Sequence, residues 1–223
     1  MEDHKRINKT ILKLQDLYVH YRDTPVIRGV SVKVHEGEIV GVVGESGSGK
    51  STLIYATLGI LGEGGRITSG DIRFDDRSML SLPREELRKL RGDAISLIAQ
   101  DPVSAFHPLK KIRAELRQLV NAHGGMTQTQ AEAAMLSAME KISLRDGKTI
   151  LNKHAFALSG GMCQRTAIAM SMVLQPKLLF ADEPTSALDV TVQKQVVEEM
   201  MKIRNDSGTA IFIVSHNMGV ISY

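Results

Sequence analysis

The stretch GESGSGKS, residues 44–51, decides how this chain is read. It holds three glycines, Gly44, Gly47 and Gly49, with Glu45, Ser46 and Ser48 between them and Lys50 and Ser51 at its end. Such a composition is a poor start for a helix held by side-chain packing. Yet EIVGVV (38–43), a run of strand character, leads directly into it, and STLIYATLGIL (51–61) continues with apolar residues at helical spacing. A glycine loop between a buried strand and a helix lets consecutive backbone N–H groups turn inward, where the helix amino terminus adds the positive end of its dipole. The pattern of a glycine, four variable residues, then Gly-Lys-Ser is that of a phosphate cradle. In it Lys50 reaches the β- and γ-phosphates and the Ser51 hydroxyl ligates Mg²⁺.

A phosphate loop alone leaves kinases, GTPases and ATPases open. The segment LLFADEP (178–184) narrows them by placing Asp182 and Glu183 at the end of an apolar strand. An Asp there holds Mg²⁺ through water, and an adjacent Glu orients or deprotonates an attacking water. A third segment, LSGGMCQR (158–165), is glycine-rich at the start of a helix and forms another anion site. One nucleotide needs one cradle, so Ser159, Gly160 and Gly161 are read as serving the nucleotide of a partner subunit.

Composition bounds the remaining classes. At 223 residues with 43% hydrophobic content the chain can bury a sizeable core, which argues against disorder. Lys plus Arg number 28 against 25 Asp plus Glu, with no long basic run, so electrostatics gives no case for nucleic acid. One cysteine, Cys163, cannot form an intramolecular disulfide, and the seven histidines lack zinc-site spacing. The amino terminus is charged where a signal peptide is apolar. Runs such as AIAMSMVL (167–174) fall short of the roughly 20 residues that span a bilayer, which predicts a soluble chain.

Along the chain, GVSVKV (29–34) alternates and EIVGVV is almost continuously apolar, which predicts a half-exposed strand followed by a buried one. AISLIA (94–99), KLLFAD (177–182) and TAIFIVSH (209–216) are short apolar strands that each run into a polar residue, the arrangement of an open α/β sheet with ligands at its strand ends. Between the first two, KKIRAELRQLV (110–120) and QAEAAMLSAMEKI (130–142) read as helices with no strand among them. The expected organisation is a nucleotide-binding core over 1–100, a helical subdomain over 101–158, and a segment 159–223 that holds the LSGGMCQR helix, the LLFADEP strand, SALD and His216. Met135 and Met139, four apart, are read as core packing, and Cys163 as a small helix residue.

From about Leu12 to Tyr223 the sequence resembles the ATP-binding subunits of ABC transporters. GESGSGKS is similar to their Walker A loop, LSGGM to their signature, LLFADE to their Walker B strand and SALD (186–189) to their D-loop. Gln100 matches the Q-loop glutamine and His216 the switch histidine. Tyr21 rather than Tyr18 matches the aromatic that stacks on adenine. The resemblance implies a P-loop NTPase core with an antiparallel β subdomain and an inserted helical subdomain. It places ATP against Tyr21, residues 44–52 (Gly44 to Thr52), Ser159, Gly160, Gly161 and Asp189, with Mg²⁺ at Ser51, Gln100 and Asp182. Glu183, His216 and Gln100 are the implied catalytic set.

It also implies a head-to-tail pair with a homologous ATPase subunit, identical or paralogous, and membrane permease subunits that keep the chain peripheral on the cytoplasmic face of the membrane. Met162, QDPVSAFHPL (100–109) and ADEPTSALDVTVQ (181–193) are similar to the branch importing peptides, nickel and metal chelates. The competing readings are a soluble ABC ATPase not coupled to transport and a non-catalytic module that has kept the fold. Family members usually continue beyond the switch histidine, whereas this sequence stops seven residues after His216. A shortened carboxyl end and a weakened ATPase are therefore expected.

Overall fold

The structure is a computed structural model that describes residues 9–186, 188, 190–217 and 219. It opens with two long strands, β1 (Thr10–Tyr21) and β2 (Thr24–His35), paired antiparallel. β3 (Ile39–Val43) then runs into the glycine loop and α1 (Lys50–Leu58). β4 (Gly65–Phe74) returns to pair with β1, followed by the short β5 (Arg77–Ser78) and α2 (Arg84–Asp93). β6 (Ile95–Ile98) leads to three helices, α3 (Ile112–His123), α4 (Gln128–Lys141) and α5 (Gly147–Leu151). The chain continues through α6 (Gly160–Met172), β7 (Leu178–Asp182), α7 (Val190–Ser207) and β8 (Ala210–Ser215). These strands form an antiparallel sheet in the order β2-β1-β4-β5 and a parallel sheet in the order β3-β8-β7-β6.

The period-2 alternation of a strand explains how one parallel sheet serves two cores. Leu178 and Phe180 of β7, with Ala210, Phe212 and Val214 of β8, pack with the antiparallel sheet and α1. Their neighbours Leu179, Ala181, Ile211 and Ile213 face the opposite way and pack with α3, α4, α6 and α7. A strand covered on both faces is apolar along most of its length, and LLFAD and AIFIVS are buried throughout, with polar residues only at their last positions, Asp182 and Ser215. β3 departs from the expectation of a buried strand. Among the described residues it pairs on one side, with β8, and Val43 keeps 37% of its surface exposed.

In the helical segment Ile112, Leu116 and Val120 recur every four residues on α3, and Ala131, Met135 and Met139 do the same on α4; all six are buried. α4 starts from a capping box: Thr127 Oγ1 accepts from Gln130 N at 3.3 Å, and Gln130 Oε1 accepts from Thr127 N at 2.8 Å. Besides this packing against the sheet, the segment meets the core at a tight contact. α2 breaks at Gly92, whose φ is 103°, and a methyl carbon there would lie 2.3 Å from Nε2 of His123 on α3. Nδ1 of the same ring is 2.9 Å from Asp93 Oδ1.

The antiparallel sheet carries a row of like charge. Lys13 on β1 stands directly opposite Lys33 on β2 and Arg73 on β4. Nearby, Asp75 ties the sheet to the core by pairing with Lys9 at 2.8 Å and Lys177 at 2.5 Å. Among the described residues no helix is long and apolar enough to cross a membrane.

Candidate active site

The site forms where the parallel strands end. After β3 the loop 44–49 turns back on itself, with Ser48 N donating to Glu45 O at 3.2 Å, and Gly49 is the cap from which α1 starts. Only glycine suits position 49. Its φ is 93°, and a Cβ there would press on Ile27 at 2.9 Å and Val26 at 3.0 Å. Lys50, buried on the first turn of α1, folds its ammonium back over the loop and donates to Gly44 O at 2.8 Å and Glu45 O at 2.7 Å. The glycine loop and the lysine are thus one closed unit, with a cation at a helix amino terminus. That is the electrostatic setting an anion requires.

β7 supplies the acids. Asp182, 1% exposed, accepts from Ser51 Oγ at 2.8 Å through Oδ1 and from Tyr55 Oη at 3.0 Å through Oδ2. Burial and the adjacent Asp182 push the Tyr55 phenol up to about 12, so it stays a donor at any working pH. Ser51 and Asp182 bring hard oxygen donors together at a buried carboxylate that no described cation pairs, a donor set suited to Mg²⁺.

Glu183 leaves the line of the strand. Its φ of 44° is left-handed, costly for a residue with a side chain, and its N–H is held by Val214 O at 2.9 Å. The turn aims the carboxylate away from Asp182 and into a cluster. His216 Nδ1 lies 2.9 Å from Oε2, Gln100 Nε2 donates to Oε2 at 3.4 Å, and Lys50 Nζ is 4.0 Å from Oε1. An ionised carboxylate only accepts, so in this contact the imidazole carries its hydrogen on Nδ1. Ser46, Gln100, Asp101, Glu183, Ser186 and His216 line a hollow of about 540 Å³.

The structure thus gathers Lys50, Ser51, Gln100, Asp182, Glu183 and His216, which are drawn from four separate parts of the chain. Ser159, Gly160 and Gly161 stand apart. Ser159 caps α6, its hydroxyl accepting from Met162 N at 3.4 Å, and among the described contacts none joins these three to the phosphate loop or the two acids. Tyr21 closes β1, paired with Thr24 and Gly65, and is half-buried. Asp189 lies outside the described residues. Two members of the site were not singled out from sequence. Asp101 follows Gln100 directly, and Tyr55 falls one helical turn after Ser51, a spacing of four that puts both hydroxyls on one face of α1.

On this geometry the comparisons with known proteins bear directly. The sequence profile described as ABC transporter matches residues 27–186. The oligopeptide transport ATP-binding protein OppD of Salmonella typhimurium is 36% identical over 216 residues, which are 95% of this chain and 64% of that protein. The dipeptide transport ATP-binding protein DppD of Lactococcus lactis is 34% identical over 95% of this chain and 62% of its own length. The chain therefore spans somewhat under two thirds of these relatives. Among solved structures, cbiO1 from Clostridium perfringens, described as part of the ABC transporter complex cbiONQ, superposes with a TM-score of 0.80 at 26% identity, covering 95% of this chain and 80% of that one. The ATP-binding cassette MJ0796, solved as a dimer in a post-hydrolysis state with ADP and Pi, gives 0.79 at 25% identity over 94% and 90%.

Proposed function

The chain belongs to the ABC transporter ATP-binding family, and from that premise we propose that it binds and hydrolyses ATP to energise a membrane importer of peptides. The observation that carries the reading is the convergence of His216, Gln100 and Lys50 on the one carboxylate of Glu183.

The roles follow from the atoms. The loop amides and Lys50 hold the phosphate chain, and Tyr21 offers its ring face to the purine. Ser51, Gln100 and, through water, Asp182 would hold Mg²⁺, which would supply positive charge beside the phosphates. Glu183 takes the proton from a water aimed at the γ-phosphate, and Gln100 and His216 keep its carboxylate oriented as that proton arrives. The carboxylate has its own side of the strand end because the left-handed turn at Glu183 separates it from Asp182.

Ser159, Gly160 and Gly161 complete a second copy's site, so two ATPase subunits, identical or paralogous, face each other head to tail. A hollow of about 350 Å³ beside Gln100, lined by Leu58, Ile60, Leu97, Phe106, Leu119 and Met170 among others, offers an apolar seat for a permease helix. Held there, the chain works at the cytoplasmic face of the membrane. Peptides rather than nickel or chelates are favoured as cargo, because the OppD and DppD relatives carry oligopeptide and dipeptide transport in their names.

The test is ATP turnover by the purified chain, together with co-purification of permease subunits from detergent-solubilised membranes. Turnover without any membrane partner would favour a soluble ABC ATPase, and absence of ATP binding would leave only a non-catalytic module.

A further inference from the structure

Helix α1 grips Asp182 at two points. Ser51 and Tyr55, one turn apart on the same face, donate to its two carboxylate oxygens at 2.8 and 3.0 Å. The two grips differ in permanence. Ser51 Oγ is also the hydroxyl that turns its lone pairs to a cation in the reading above. Its hydrogen bond to Asp182 is then the one that must adjust when Mg²⁺ is engaged. The phenol of Tyr55 has no such second duty. Its ring packs with the core shared by α1 and the antiparallel sheet, and its only described hydrogen bond goes to Asp182.

We propose that Tyr55 is a positioning residue for the metal-binding carboxylate: it holds Asp182 Oδ2 so that Oδ1 keeps its place while Ser51 changes partner. Asp182 sits at 1% exposure, so water does not take over the second oxygen if the phenol is removed. A carboxylate with one donor left would be free to rotate about its terminal torsion, which is broad for Asp. Tyr55 is thereby part of the cation site without touching the cation. The inference rests on the reading of Ser51 and Asp182 as that site.

The experiment compares the wild-type chain with Tyr55→Phe, which deletes one oxygen and keeps the ring. ATP affinity is measured by calorimetry with Mg²⁺ and with chelator, and the half-saturating Mg²⁺ concentration is taken from turnover. The expected result is unchanged affinity in chelator, a Mg²⁺-dependent gain in affinity reduced about tenfold, and a half-saturating Mg²⁺ concentration raised by a similar factor, the scale of one hydrogen bond to a charged group. Thr57→Val is the control for mere loss of stability. Thr57 Oγ1 is buried on the same helix and donates to Leu53 O at 2.8 Å, away from Asp182. It should lower the melting temperature and leave the Mg²⁺ gain intact.

If Tyr55→Phe keeps the full Mg²⁺ gain of the wild type, or if Thr57→Val loses it equally, the positioning role is wrong. If the wild type itself binds ATP with no Mg²⁺ gain, the assignment of Ser51 and Asp182 as the cation site falls, and the role of Tyr55 with it.

Discussion

Nδ1 of His216 and Oε2 of Glu183 stand 2.9 Å apart, joining the residues that follow two adjacent parallel strands, β8 and β7. Gln100, which follows β6, reaches the same oxygen. Three strand ends of one sheet therefore meet at a single carboxylate.

Replacing that carboxylate by an amide keeps the shape and removes the base. Glu183→Gln is expected to bind ATP with wild-type affinity and to hydrolyse it at least about 10²-fold more slowly, the scale of a lost general base. Single-turnover kinetics beside calorimetry measures both, and near-normal turnover would remove Glu183 from the base role.

Ser159→Asp tests the partner site without disturbing the fold. Asp caps a helix about as well as Ser, so the variant should unfold within about 0.5 kcal/mol of wild type. Its added charge, however, would face the phosphates of a second subunit. In the Glu183→Gln background ATP should drive dimer formation with Ser159 and fail to do so with Asp, as read by light scattering. Equal dimer fractions would count against the head-to-tail pair.

The signature helix is also locked internally. Arg165 Nε donates to Glu199 Oε1 at 2.9 Å and Oε2 at 3.1 Å, and Nη2 donates to Gln195 Oε1 at 2.8 Å, tying α6 to α7. Burial raises the Glu199 carboxyl above its ordinary range even with Arg165 opposing it. Arg165→Met strands that buried acid and should cost about 3–5 kcal/mol at neutral pH. A carboxyl with a raised folded-state pKa holds its proton more tightly folded than unfolded. Acidification through that range therefore favours the fold, and the contribution is lost as pH rises. Without Arg165 the pKa rises further, so the gap between variant and wild type should narrow as pH falls. A gap independent of pH in denaturant titrations would contradict the burial argument.

Lys13 stands opposite Lys33 and Arg73 on its two neighbouring strands, and like charges directly opposite destabilise a sheet. Lys13→Glu converts two repulsions to attractions and should stabilise the fold by about 0.5 kcal/mol, an effect that fades in high salt. A lower melting temperature in dilute buffer would show that the row is not repulsive in the folded chain.

Much of this site was legible in the sequence because its parts are local. A glycine loop between strand and helix, two acids at a strand end and a polar residue after each apolar run need no knowledge of distant pairings. What stayed hidden depends on such pairings. β3 reads as buried from EIVGVV, but its exposure follows from its place at the edge of the sheet that the described residues form, which no local pattern encodes. Tyr55 sits in the apolar run STLIYATLGIL, where an aromatic reads as packing; only the approach of β7 gives its hydroxyl a partner. The helical segment was visible as helices, yet its contact through His123 and Gly92 brings together residues far apart in sequence.

That contact has a consequence for what substitutions the chain can accept. Gly124 and Gly125 share with Gly92 a positive φ, but a side-chain carbon at either would find nothing within 4 Å. In a saturation library scored for folded protein, position 125 should admit Asn and Asp, residues that reach left-handed backbone at small cost, whereas Gly124, at φ 74° and ψ −162°, lies in a region that glycine alone occupies. Position 92 should keep glycine alone, since the ring of His123 occupies the volume of the first carbon of any side chain. This part of the join between the sheet and its helical insert is written as a missing atom, and its mark in variant data is an intolerant column at 92 set against a tolerant one at 125.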